Sequence, residues 1–167
     1  MADLTLRERL QPSLLDRLTD REPDTNREAR DRRVLSVDKI RDCVIRDLGW
    51  LLNTGNLAST QDLSAYPEVQ RSVLNYGAPD LAGVPSSLTD VRELEKAIKE
   101  AIINFEPRIL KDTLRVSIER QSKKFSQAAL IFRIQGQMWA QPMPLSLDLR
   151  TEVDLDTGAF DVAESVR

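Results

Sequence analysis

The sequence predicts an α+β fold: helices packed on one face of a three-stranded antiparallel β-meander, preceded by an N-terminal helical arm. Three observations predict it. Apolar residues recur every three or four positions up to Phe105 and every second position from Leu114 onward. Those are the periods of amphipathic helices and half-buried strands. The segments between the alternating runs are short, as antiparallel neighbours require. Residues 1–33 are dense in charges of both signs and poor in apolar side chains. They read as an arm and linker outside a domain spanning 34–160, with 161–167 as a flexible tail.

Each element follows in order. In the arm, Leu10, Leu14 and Leu18 lie at steps of four, with Leu15 beside them. They stack on one side of a short helix. A helix this short is marginal alone, so these leucines form a candidate docking helix, for the same chain or for a partner. Residues 20–33 read as a solvated linker. "SVDKIRDCVIRDLGWLLNTG" is a helix with Ser36 as N-cap and an apolar stripe of Val37, Ile40, Val44, Leu48, Leu51 and Leu52. Gly55 suits a left-handed cap at its end. Arg41, Asp42, Arg46 and Asp47 fall off or beside the stripe and read as solvated charges. In "YPEVQRSVLNYGAPDLAG", Pro67 opens a shorter helix, Val69, Val73 and Leu74 are expected to face inward, and Gly77 with Pro79 ends it. A third helix begins with the capping-box spacing of Asp90 and Glu93 and buries Val91, Leu94, Ile98, Ala101, Ile102 and Phe105.

Three strands follow. Leu114, Val116 and Ile118 carry the first apolar face, Leu130, Phe132, Ile134 and Met138 the second, and Leu145, Leu147, Leu149, Val153 and Leu155 the third. A three-stranded sheet leaves two edges. Pro142 and Pro144 guard only the entry to the last strand. Its later part, Leu149, Thr151, Val153 and Leu155, is therefore a candidate edge for strand addition.

Composition excludes several chemistries. The 167 residues include no histidine and one cysteine, with 24 basic and 27 acidic side chains giving a net charge of −3. Ser-His and Cys-His pairs and histidine metal sites are thereby absent, and no internal disulfide can form. Cys43, inside an amphipathic pattern, reads as a small buried hydrophobe. No nucleic acid partner is expected from this charge balance. No glycine-rich phosphate loop and no calcium loop appears, so no cofactor or metal is expected. The N-terminus lacks the uninterrupted apolar core of a signal peptide, and no run suits direct membrane insertion. A cytoplasmic location is expected.

One stretch stands apart. Glu106 lies four residues beyond Ile102, so it continues the inward stripe of the third helix, and Pro107 should end that helix there. A carboxylate so placed must be paired or hydrogen-bonded, because burying it alone is strongly unfavourable. Arg108 offers a bidentate fork. Glu106, Pro107 and Arg108 therefore form either an internal brace or a docking site shared with another subunit. A catalytic carboxylate is weaker, since no second acid is singled out by spacing.

"PSLLDRLTD", "VIRDLGWLLNTGN", "SVLNYGAPDLAG" and "INFEPRI", in that order, resemble the TssE subunits of type VI secretion baseplates. These belong to the lysozyme-like baseplate wedge family of contractile phage tails. The resemblance implies a structural role without catalysis, in a cytoplasmic baseplate assembly near the inner membrane. It implies TssF, TssG and TssK as wedge partners and the sheath proteins TssB and TssC as the assembly templated, by strand addition. It also makes Glu106, Pro107 and Arg108 the family signature, implicated in holding the wedge core, and implies weak or no self-association. The alternatives are a cell-wall glycosidase and a stand-alone peptide-binding regulatory module.

Overall fold

A computed structural model describes residues 14–19, 37–82, 91–119, 129–139 and 144–165. Leu10, Ser36, Asp90, Pro142 and the 20–33 linker lie outside the described residues. Helix α1 spans Leu14–Leu18, α2 Val37–Leu52, α3 Pro67–Gln70 and α4 Val91–Phe105. Strands β1 (Arg115–Glu119), β2 (Ala129–Met138), β3 (Leu145–Asp154) and β4 (Phe160–Glu164) follow in one antiparallel sheet of order β1-β2-β3-β4.

The period-2 alternation sets the register. Val116 lies opposite Ile134 and Ile118 opposite Phe132; Ile134 in turn faces Leu149, and Phe132 faces Thr151. One face of the sheet therefore carries Phe132, Ile134, Leu149 and Val153, all fully buried. These join Val44, Leu48, Leu51 and Leu52 of α2 and Leu94, Ile98 and Ile102 of α4 in a single apolar cluster. Helix α2 touches β4 and α4, while α4 touches β1. Burying each such side chain contributes about 1.5–3 kcal/mol. Cys43 is buried, as its pattern predicts.

The sheet has four strands, not three. Residues 161–164, expected in a flexible tail, continue a strand from Phe160. The signal is a tight turn. Asp154 accepts the backbone N–H of Gly158 at 2.7 Å, and its side chain accepts from the N–H groups of Asp156 and Thr157. Gly158 adopts φ +73°, the left-handed conformation that glycine tolerates. With only Phe160 and Val162 as apolar alternation, β4 is too short to stand out from sequence alone.

This overturns the predicted docking edge. Leu149, Thr151 and Val153 are flanked by β2 on one side and by Glu164, Val162 and Phe160 of β4 on the other. Leu155 is buried at the turn. Two further expectations fail. Gly55 is not left-handed; the positive φ belongs to Gly77, at +130°. Val73 and Leu74 point outward, because the chain leaves α3 after Gln70 and enters a 3-10 turn that turns Asn75 inward instead. There Asn75 accepts from the N–H of Ala58 and donates to the carbonyl of Gln70, at 2.9 Å each.

Candidate functional site

The site is built where α4 gives way to the sheet. The apolar stripe of α4 ends with Glu106, whose N–H still donates to the Ile102 carbonyl at 2.8 Å. Pro107 then turns the chain outward and is exposed. Backbone bonds fasten the corner to β2: Trp139 N–H donates to the Arg108 carbonyl at 2.7 Å, and Leu110 N–H to the Gln137 carbonyl at 2.8 Å. Arg108 is thereby directed back over the end of the helix.

Its guanidinium meets Glu106 twice. Nε donates to Oε1 at 2.7 Å and Nη2 to Oε2 at 2.5 Å, while the Arg108 backbone N–H also donates to Oε1 at 3.1 Å. Glu106 is 4% exposed. The same Nη2 donates to Asp47 Oδ2 of α2 at 2.6 Å. Asp47 Oδ1 accepts from Nε and Nη2 of Arg46, and Arg46 Nη1 donates to Asp16 Oδ1 of α1 at 2.7 Å. The result is an alternating chain of charge, Glu106–Arg108–Asp47–Arg46–Asp16, joining three helical elements. Burial alone would lower the affinity of Arg108 for its proton, but Glu106 and Asp47 outweigh it and hold the guanidinium more firmly charged than usual. Arg46 is held likewise, chiefly by its bond to Asp16.

An aromatic wall stands beside this chain. Arg46 lies over the Trp50 ring at 4.9 Å, a cation–π contact one helical turn along α2. Tyr76 meets Phe105 edge-on at 5.3 Å. Tyr76 is placed by a strap in which Ala78 N–H donates to the Thr54 carbonyl and Asn56 N–H to the Ala78 carbonyl. Between these groups lies a cleft of about 570 Å³, lined among others by Leu15, Asp47, Trp50, Tyr76, Phe105, Glu106, Pro107 and Arg108.

The structure thus brings Glu106, Pro107, Arg108 and Leu15 of the predicted site residues to one cleft. Leu14 and Leu18 are turned away from the core, at 70% and 73% exposure. Asp16 ties the short helix to Arg46 of α2, while Leu15 lines the cleft. Arg46 and Asp47, expected as solvated charges, are the middle of the charge chain. The sequence does not mark Trp50, Tyr76 and Phe105 as site residues. Their signal was weak: an aromatic at each of three separate elements shows convergence only once the elements are packed.

The cleft does place two acids together, Glu106 and Asp47. Neither is arranged for acid catalysis. Both Glu106 oxygens accept from Arg108, and both Asp47 oxygens accept from arginine. A glycosidase needs one acid that can donate its proton to a leaving group. Among the described residues no cluster of three metal-binding side chains occurs, and no helix is long and apolar enough to cross a membrane. A half-exposed tryptophan beside an arginine–carboxylate pair is instead the kind of surface that anchors protein interfaces.

A second surface lies at the outer edge of β4. Asp154 N–H donates to the Ala159 carbonyl and Ser165 N–H to the Asp148 carbonyl. Odd-numbered residues of β4 therefore bond to β3, and Phe160, Val162 and Glu164 turn their backbone groups outward. Asn53, at the end of α2, takes those of Phe160: Nδ2 donates to its carbonyl, and Oδ1 accepts its N–H, both at 2.9 Å.

A family model described as baseplate wedge protein gp25 matches residues 38–143. The matched span contains Asp47, Trp50 and the 106–108 corner but stops short of β3 and β4. No curated protein and no solved structure matches the chain.

Proposed function

Because the chain belongs to the baseplate wedge protein gp25 family, we propose that it is a structural wedge component of a type VI secretion machine. It docks on the wedge core through the cleft at Glu106–Arg108 and anchors the first sheath ring by strand addition. The observation that carries this reading is the charge chain from Glu106 to Asp16 set beside the half-exposed Trp50. The ion pairs fix the shape of the cleft, and the aromatic wall supplies apolar area for a partner. The partners under this reading are TssF, TssG and TssK in the wedge and TssB and TssC in the sheath, in the cytoplasm near the inner membrane. No catalysis is involved. The strand-accepting edge is β4, since the later part of β3 is paired on both sides.

The test is co-purification of the full chain with the wedge proteins. Trp50→Asp and Arg108→Ala are expected to lose the partners while Trp50→Asp keeps a wild-type circular dichroism spectrum. Trp50 is 50% exposed, so its replacement removes docking surface and not core. Recovery of wedge proteins by both variants at wild-type level would overturn the docking role. Release of peptidoglycan fragments by the purified chain, lost in Glu106→Gln, would replace this reading by the glycosidase one.

A further inference from the structure

We propose that the β4 edge accepts a basic extended segment from a different chain, with apolar residues toward the core face and a lysine or arginine beside Asp161. This rests on the strand-addition reading above and adds the chemistry of the occupant. Val162 and Glu164 each present an outward N–H and C=O with no partner among the described residues. Asn53 closes the edge at Phe160 and so fixes where an added strand must begin. The opposite edge is less available: Glu95 of α4 accepts the Ile118 N–H of β1 at 2.8 Å.

The side chains on the solvent face select the charge. Glu152 of β3 lies directly opposite Asp161 of β4, both exposed. Like charges in that relation destabilise a sheet. Neither has a cation within ion-pair distance among the described residues. In the adjoining row, Arg133 is held by Asp148 at 2.7 Å and by Glu119 at 3.8 Å, and exposed Arg150 of β3 makes no ion pair with Glu152 or Asp161. Asp154 and Asp156 are exposed at the same end of the hairpin. The position across from Asp161 on an added strand is the place where a cation would relieve the Glu152–Asp161 repulsion. On the core face, the same strand would lie beside half-buried Val162, which favours an apolar residue there. A second copy of this chain is a poor occupant, because an antiparallel self-pairing centred on Val162 would set Asp161 opposite Ala163 of that copy, which offers no cation.

Two fluorescein-labelled decapeptides test this, one alternating valine with lysine and one alternating valine with glutamate. Their binding to the full chain is read by fluorescence anisotropy. The lysine peptide is expected to bind about tenfold more tightly than the glutamate peptide, and Asp161→Lys to erase that preference. Val162→Pro removes an outward donor without touching the β3–β4 bonds and is expected to abolish binding of both. Equal binding of the two peptides to the wild type, lost in Val162→Pro, would overturn the basic occupant and leave strand addition standing. Binding unchanged in Val162→Pro, or absent for both peptides, would overturn strand addition itself.

Discussion

Glutamine at position 106 would keep the shape of the corner and remove the charge onto which Arg108 folds. Arg108 would retain Asp47 but lose its bidentate partner, inside a site where the carboxylate is 4% exposed. Breaking one side of such a pair leaves a charge poorly compensated, so Glu106→Gln should lower the unfolding free energy by about 2–4 kcal/mol. Urea denaturation checks this. A change under about 0.5 kcal/mol would mean that the pair serves docking alone. The need for a partner at Glu106 was legible in the sequence, because a carboxylate on an apolar stripe has few alternatives. The identity of the second partner was not: Asp47 is 61 residues away. Nothing in its own neighbourhood separates it from Asp42, which is exposed on the same helix.

At the scale of elements, the segment between α2 and α4 depends on the strap at Gly77. A β-carbon there would sit against the Thr54 carbonyl oxygen, and φ of +130° is unfavourable for any other residue. Gly77→Ala should therefore cost about 2–4 kcal/mol and loosen the seat of Tyr76. The measurable signs are a lower denaturation midpoint and faster amide exchange at Ala78, whose N–H donates to Thr54. The sequence marks Gly77 as a stop but assigns the left-handed conformation to Gly55. Both glycines follow helical segments, and only the closeness of Thr54 to Ala78 decides between them. The exposed Val73 and Leu74 have the same origin: an inward-facing helix needs a second turn, and Asn75 finds its hydrogen-bond partners inside first.

Across the whole molecule, pH acts through groups that must stay protonated. Burial, then the carboxylates of Asp47 and Glu106, push the Tyr76 hydroxyl above its usual 10.0. Burial, then Asp16, push the Cys43 thiol above its usual 9.0. Both groups are neutral when protonated and hold the proton more tightly when folded. Their contribution is complete below the unfolded values and is lost as pH rises through the folded ones, since the unfolded chain then binds fewer protons. Stability should fall from about pH 9 upward, and Tyr76→Phe should flatten the part of that decline above about pH 10. Denaturation midpoints of the two proteins across that range provide the check. Parallel curves would show that folding does not raise the Tyr76 hydroxyl.

Periodicity is a property of near neighbours, and the sequence by itself determined what depends on near neighbours: the stripes of α2 and α4, the alternation of β1 to β3, and a charged corner where the stripe runs into Pro107. Only the tertiary structure decided what depends on distant segments meeting. It joined Arg108 to Asp47 and Arg46 to Asp16, gathered Trp50, Tyr76 and Phe105 around one cleft, and laid Phe160–Glu164 along β3. That last pairing moved the open edge from β3 to β4. The physical reason is that a short strand or a surface charge carries little local preference, so its place is set by the hydrogen bonds and ion pairs offered by whatever the folded chain brings beside it.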